Sequence, residues 1–152
     1  MLKSFNVVLY EPEIPQNTGN IARLCACSGS NLFLVGKLGF SLSSKYMKRA
    51  GLDYWDSVEI KKYDTLELLQ AEYPDAKFYY LTTKSKKPIY NVEFKPNDFL
   101  VFGPETRGLP EDLLHEKSET AVTIPMRPDQ RSLNLSNSVA IVLYEAIRQN
   151  GI

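Results

Sequence analysis

Six consecutive apolar residues, Val139-Ala140-Ile141-Val142-Leu143-Tyr144, follow directly on the polar stretch Ser132-Leu133-Asn134-Leu135-Ser136-Asn137-Ser138. On an α-helix such a run covers every face of the cylinder, so packing against one surface leaves apolar side chains in water. The helix therefore needs cover on two sides. In a chain of 152 residues, another copy of the same chain is a natural second cover. The Ser and Asn residues in front supply N-cap side chains, and the free N–H groups of a helix start add donors for a ligand. The pattern predicts a helix from Asn134 to Gln149, ended by Gly151, with a polar site at its start.

Upstream, short β-branched or aromatic runs alternate with helical stretches. The predicted strands are Asn6 to Tyr10, Leu32 to Val35, Val58 to Tyr63, Phe78 to Leu81, Phe99 to Phe102 and Val122 to Ile124. The other predicted helices are Gly19 to Ser28, Ser44 to Ala50, Thr65 to Glu72 and Pro110 to His115. This alternation is the signature of an α/β fold, a mostly parallel sheet with helices on both faces. Ligands in such folds sit at the carboxyl ends of the strands, which directs attention to the loops Glu11 to Thr18, Gly103 to Leu109 and Pro125 to Arg131.

Composition excludes several function classes. With 43% apolar residues the chain fits one domain over residues 1–152. No apolar run is long enough for a membrane span, and Met1 to Phe5 lacks the plan of a signal peptide, so a soluble cytoplasmic protein is expected. Cys25 and Cys27, with the single histidine His115, make no credible zinc site and read as two small buried or half-buried thiols. Carboxylates are scattered singly, so no metal is expected. Net charge is zero, but residues 1–90 hold 12 Lys and Arg against 9 Asp and Glu, while residues 91–152 hold 6 against 9. Basic clusters at Lys45, Lys48 and Arg49, at Lys61 and Lys62, and at Lys84, Lys86 and Lys87 suit phosphates or ordinary solvated surface.

The first loop, Pro12 to Arg23, has two prolines, Asn17 or Thr18 as possible caps, and Gly19 for close backbone approach, with Arg23 about one turn inside the helix. It also suits a well-capped helix with a surface arginine. The second, Gly103-Pro104-Glu105-Thr106-Arg107-Gly108, has P-loop glycine spacing, but Leu109-Pro110 stand where Lys and Ser or Thr are required. A rigid turn with Glu105 and Arg107 remains, which on plain terms pair with each other. The third, Ile124-Pro125-Met126 leading to Arg131, places apolar side chains beside exposed backbone groups, an arrangement suited to a flat heteroaromatic ring or simply to core packing plus helix capping. With neither a Ser-His-Asp set nor a metal cluster in view, transfer from an organic cofactor fits better than hydrolysis.

Three segments, Asn17 to Arg23, Phe102 to Leu109, and Ile124-Pro125-Met126 with Ser132 to Asn137, resemble in order and spacing the motifs of SPOUT-class RNA ribose 2'-O-methyltransferases. Val8 to Pro15 and Arg49 to Tyr54 resemble the tRNA (cytidine(34)-2'-O)-methyltransferases within that class. The resemblance implies a C-terminal trefoil knot, a homodimer, and S-adenosylmethionine as cofactor, contacted by Leu81, Gly103, Ile124 and Ser132, with Met126 and Leu133 as neighbours. It also implies a tRNA anticodon stem-loop as partner, methylated on the wobble ribose, cytidine or uridine at position 34. Arg23 matches the motif arginine to which the class assigns activation of the 2'-hydroxyl. A guanidinium is effectively always protonated, so Arg23 is better cast as an orienting cation than as a base. Asn17, Arg107 and Asn134 would position the nucleotide and the knot loops. The alternatives are a 2'-O-methyltransferase for another RNA and a catalytically silent RNA-binding protein. A Rossmann oxidoreductase is disfavoured by the missing glycine fingerprint.

Overall fold

The structure, a computed structural model, describes residues 2–49 and 57–151; Ala50 to Tyr54 of the family-like segment lie outside the described residues. The elements in order are β1 (Asn6–Tyr10), α1 (Pro15–Ser28), β2 (Asn31–Val35), α2 (Ser44–Arg49), β3 (Ile60–Tyr63), α3 (Leu66–Glu72), β4 (Phe78–Leu81), β5 (Phe99–Phe102), α4 (Glu111–Glu116), β6 (Ala121–Val122) and α5 (Leu135–Asn150). The strands form one sheet in the order β3-β2-β1-β5-β4-β6, and every pairing is parallel.

Side chains alternate across that sheet, and both faces are covered. Val7 and Leu9 of β1, Leu32 and Leu34 of β2, and Leu100 and Phe102 of β5 join a core with Ile21, Ala22 and Cys25 of α1 and Val139, Leu143 and Ala146 of α5. Val8, Phe33, Phe99 and Val101 point the other way, toward Leu66 and Leu69 of α3 and the half-buried Leu113 and Leu114 of α4. Each fully buried Leu or Ile contributes about 1.5–3 kcal/mol, and the first cluster is the larger.

Several boundaries differ from expectation, and those of α1 and β6 shape the site. α1 begins at Pro15, four residues before the predicted Gly19, because a distant carboxylate caps its start. β6 covers only Ala121 and Val122, not Val122 to Ile124. Thr123 instead bridges to Pro88, its N–H donating to Lys87 O and its carbonyl accepting from the Ile89 N–H, which frees Ile124 from the sheet. β3 likewise starts at Ile60 rather than Val58. At α5, Asn134 is the cap rather than the first helical residue, its side chain accepting from the Asn137 N–H.

Candidate active site

β1 and β5 are neighbours at the centre of the sheet, yet the chain leaves β1 toward β2 on one side and enters β5 from β4 on the other. This is the topological switch point, where the loops after both strands come together. The loop after β5 grips the loop after β1 through side chains. Arg107 Nη2 donates to Glu11 at 3.2 Å, and its Nε stands 4.0 Å from Glu13. The Thr106 N–H and hydroxyl both donate to Glu13 Oε1, at 2.9 and 2.8 Å. These two donors, with Arg107 nearby, hold the Glu13 carboxyl below the usual carboxylate range.

Glu105 turns in the opposite direction. Its Oε1 accepts from the Glu13 N–H and its Oε2 from the Ile14 N–H, each at 2.8 Å. It thereby does the work of an N-cap from the far side of the switch point, with negative charge at the positive end of the helix. The local candidates do not cap: Ile14 is the cap residue and offers no side-chain bond. Thr18 is buried, with no partner for its hydroxyl among the described residues. Glu105 and Arg107 do not pair with each other as the isolated turn suggested; each engages the β1 loop separately.

The third loop joins through amides. Asn17 Nδ2 donates to Glu105 Oε2 at 3.2 Å, and Asn134 Nδ2 donates to Asn17 Oδ1 at 3.2 Å. Asn134 Oδ1 accepts from the Ser136 hydroxyl at 2.6 Å and from the Asn137 N–H at 3.2 Å. One polar chain thus runs from the start of α5 through Asn134, Asn17 and Glu105 to the start of α1. Each amide group has both ends engaged, so its orientation is set.

Beside this chain lies a cavity of about 590 Å³, within the range of organic-ligand sites. Leu81, Gly103, Ile124, Met126, Ser132 and Leu133, the residues expected at a cofactor, all line it. So do Asn17, Arg107 and Asn134. Arg23 does not: it lies on an exposed position of α1, more than two turns from Pro15, because the helix starts earlier than its sequence suggests. Gly103 is essential to the wall, since a Cβ there would stand 2.4 Å from Gly108 C and Leu109 N. Gly108 takes φ +69, the left-handed backbone that lets the turn close.

Thr82 and Thr83, the loop that follows Leu81, line the cavity as well; sequence reasoning passed over Lys84 and Leu114, which also line it, and Glu105 as its organising acid. Lys84 was visible only as charge, and it pairs with Glu111 at 2.6 Å. The lining combines apolar Leu81, Phe102, Ile124 and Leu135 with loop backbone, which fits the faces and edges of an adenosyl group. Of the two thiols, Cys25 is buried and Cys27 exposed, so the second departs from expectation. Among the described residues no group of three or more His, Cys, Asp or Glu could hold a metal, and no helix is long and apolar enough to cross a membrane.

Comparison with known proteins gives a consistent picture. The SpoU rRNA Methylase family matches residues 4–144. A tRNA (cytidine(34)-2'-O)-methyltransferase of Methylovorus glucosotrophus (strain SIP3-4) is 50% identical over 147 residues, covering 96% of each chain. One of the same name from Burkholderia ambifaria is 49% identical over 150 residues, covering 97% of this chain and 96% of the relative. A solved structure described as "Structural insights into the 2-OH methylation of C/U34 on tRNA" superposes with a TM-score of 0.90 at 43% identity, covering 97% of each chain.

Proposed function

The chain belongs to the SpoU rRNA Methylase family, and from that premise we propose that it methylates the ribose 2'-hydroxyl of the wobble pyrimidine, cytidine or uridine 34, in the tRNA anticodon loop. The observation that carries this reading is the convergence of Asn17, Arg107, Asn134 and the six expected cofactor contacts on one cavity, in a chain half-identical along its length to a relative of that name. The cofactor is S-adenosylmethionine, which when bound supplies an electrophilic methyl group. Leu81, Gly103, Ile124, Met126, Ser132 and Leu133 would hold it, chiefly through loop backbone and apolar contact.

The chain's own part is alignment and charge. Asn17 and Asn134, locked by their mutual hydrogen bond, keep the cavity wall fixed beside the nucleotide. Arg107 braces the loop after β5 against Glu11. Arg23, an exposed cation outside the cavity lining, would approach the ribose or its phosphate from the solvent side. It stabilises negative charge developing on the attacking oxygen rather than taking its proton.

The same reading makes residues 1–152 a single catalytic domain working in the cytoplasm as a homodimer. A C-terminal trefoil knot belongs to it as well. Its support is that β6 lies at the sheet edge beside β4, while α5, next in the chain, packs back against α1 and β5, and that the segment between them shares one cavity lining with the loops after β4 and β5. Single-stranded loops expose bases and riboses to a small domain, which suits an anticodon substrate.

Replacing Arg23 with Ala should leave S-adenosylhomocysteine affinity nearly intact and abolish turnover on anticodon stem-loop RNA; near-normal methylation would remove Arg23 from the mechanism. Calorimetry with S-adenosylhomocysteine and with NAD decides the class. Binding of the first alone supports the methyltransferase, binding of neither favours a silent RNA-binding protein, and binding of NAD overturns the reading. Mass mapping of ribose methylation in tRNA from cells with and without the gene identifies the nucleotide.

A further inference from the structure

Three cations line the cavity, and their surroundings differ. Arg107 is held by Glu11 and Glu13, and Lys84 by Glu111. Arg131 is exposed and makes no ion pair or side-chain hydrogen bond among the described residues. Four positions earlier in the same loop, Arg127 is also exposed and its side chain has no ion pair or hydrogen bond among the described residues, but it stands outside the cavity lining. The loop that carries them is stiff. Pro125 and Pro128 fix their own φ, and the Gln130 N–H donates to Arg127 O at 3.1 Å, closing a turn with Pro128 and Asp129 at its tip.

An unpaired surface arginine alone signifies little. The placement of this pair says more: one exposed guanidinium belongs to the cavity lining and a second stands outside it, on the two flanks of one turn that limits their movement. A small carboxylate is held by cations within one cavity, whereas a polyanionic strand is followed by cations that continue beyond the cavity along its path. Guanidinium groups also match phosphate oxygens in bidentate fashion.

We propose that Arg131 takes a backbone phosphate of the RNA strand next to the nucleotide in the cavity, and that Arg127 takes one further along. This assignment rests on the RNA-methyltransferase reading and adds to it where the strand runs. The remaining cations at the site serve to hold the loops.

The test measures binding of a fluorescent anticodon stem-loop RNA across a salt series, with S-adenosylhomocysteine calorimetry in parallel. Removing one arginine–phosphate pair should lower the slope of log K against log salt by about 0.7–0.9. Arg131→Gln should show one such decrease, and Arg127→Gln with Arg131→Gln about twice that, with cofactor-product affinity unchanged. Lys62→Gln, on the opposite edge strand β3, should keep the wild-type slope. An unchanged slope in Arg131→Gln overturns the proposal while leaving the methyltransferase reading intact. Weaker S-adenosylhomocysteine binding at unchanged slope gives the arginine to the cofactor and also overturns it. Wild-type protein that binds no anticodon RNA removes the parent reading and this assignment together.

Discussion

At Gly103 the space for a side chain is already filled by the main chain of Gly108 and Leu109, atoms that can yield only if the whole turn moves. Gly103→Ala should therefore lose about 1–3 kcal/mol of stability, the range for overpacking, and weaken S-adenosylhomocysteine binding at least tenfold. Thermal unfolding and calorimetry check both, and a variant matching wild type in each contradicts the account of the wall. The thiols make a second test at this scale. Burial pushes the Cys25 thiol up to about 12, so it stays protonated and shielded, whereas Cys27 is exposed. Native protein should expose one fast-reacting thiol per chain to a disulfide reagent and unfolded protein two; rapid reaction of both in the native state would show that α1 opens readily.

The start of α1 depends on a residue some ninety positions away. Removing the carboxylate in Glu105→Ala leaves the Glu13 and Ile14 N–H groups without an acceptor and frees one end of the Asn17 amide. Loss of charge-assisted bonds of this kind costs about 1.5–3 kcal/mol each before relaxation to water, so hydrogen exchange at the amides of Glu13, Ile14, Gln16 and Asn17 should accelerate by more than tenfold. Unaltered exchange would remove Glu105 as the cap. The clasp also has a pH dependence. Glu13 titrates below its ordinary value because Thr106 donates to its charged form, so its contribution is complete above about pH 4.5 and is lost as pH falls through the lowered folded value. Glu13→Gln should accordingly show a shallower fall in melting temperature on acidification than wild type. This dependence on distant partners explains which parts of the elements were legible in the sequence. Strands such as Asn6–Tyr10 and Phe99–Phe102 announce themselves through local apolar runs, and all but one of the expected site residues stand at the cavity, since loop position follows from strand position. The early start of α1 and the short β6 depend on Glu105 and on the Lys87 to Ile89 segment, which no local pattern connects to them. Arg23, counted from the wrong helix start, therefore lay nearer the site on paper than it does in the fold.

At the scale of the whole molecule, alternating strands and helices dictate a parallel sheet with two buried faces, but they leave open the strand order and the path by which α5 returns across β5. The apolar block of α5 is only partly absorbed by that return. Val139, Val142 and Leu143 are buried, while Ile141 and Tyr144 remain 36% and 44% exposed on the outer side of the same helix. Two adjacent large apolar groups on a helix otherwise committed to the core mark the side that the sequence pattern assigned to a second copy. If α5 packs against its counterpart there, a carboxylate buried at that position without a partner costs more than such an interface can recover. Ile141→Asp should therefore sediment as a monomer at concentrations where wild type sediments as a dimer. Wild type alone should show an unfolding midpoint that rises with protein concentration, because dissociation is coupled to unfolding. A wild-type chain that sediments as a monomer at tens of micromolar, with a midpoint independent of concentration, would instead leave Ile141 and Tyr144 as ordinary exposed side chains.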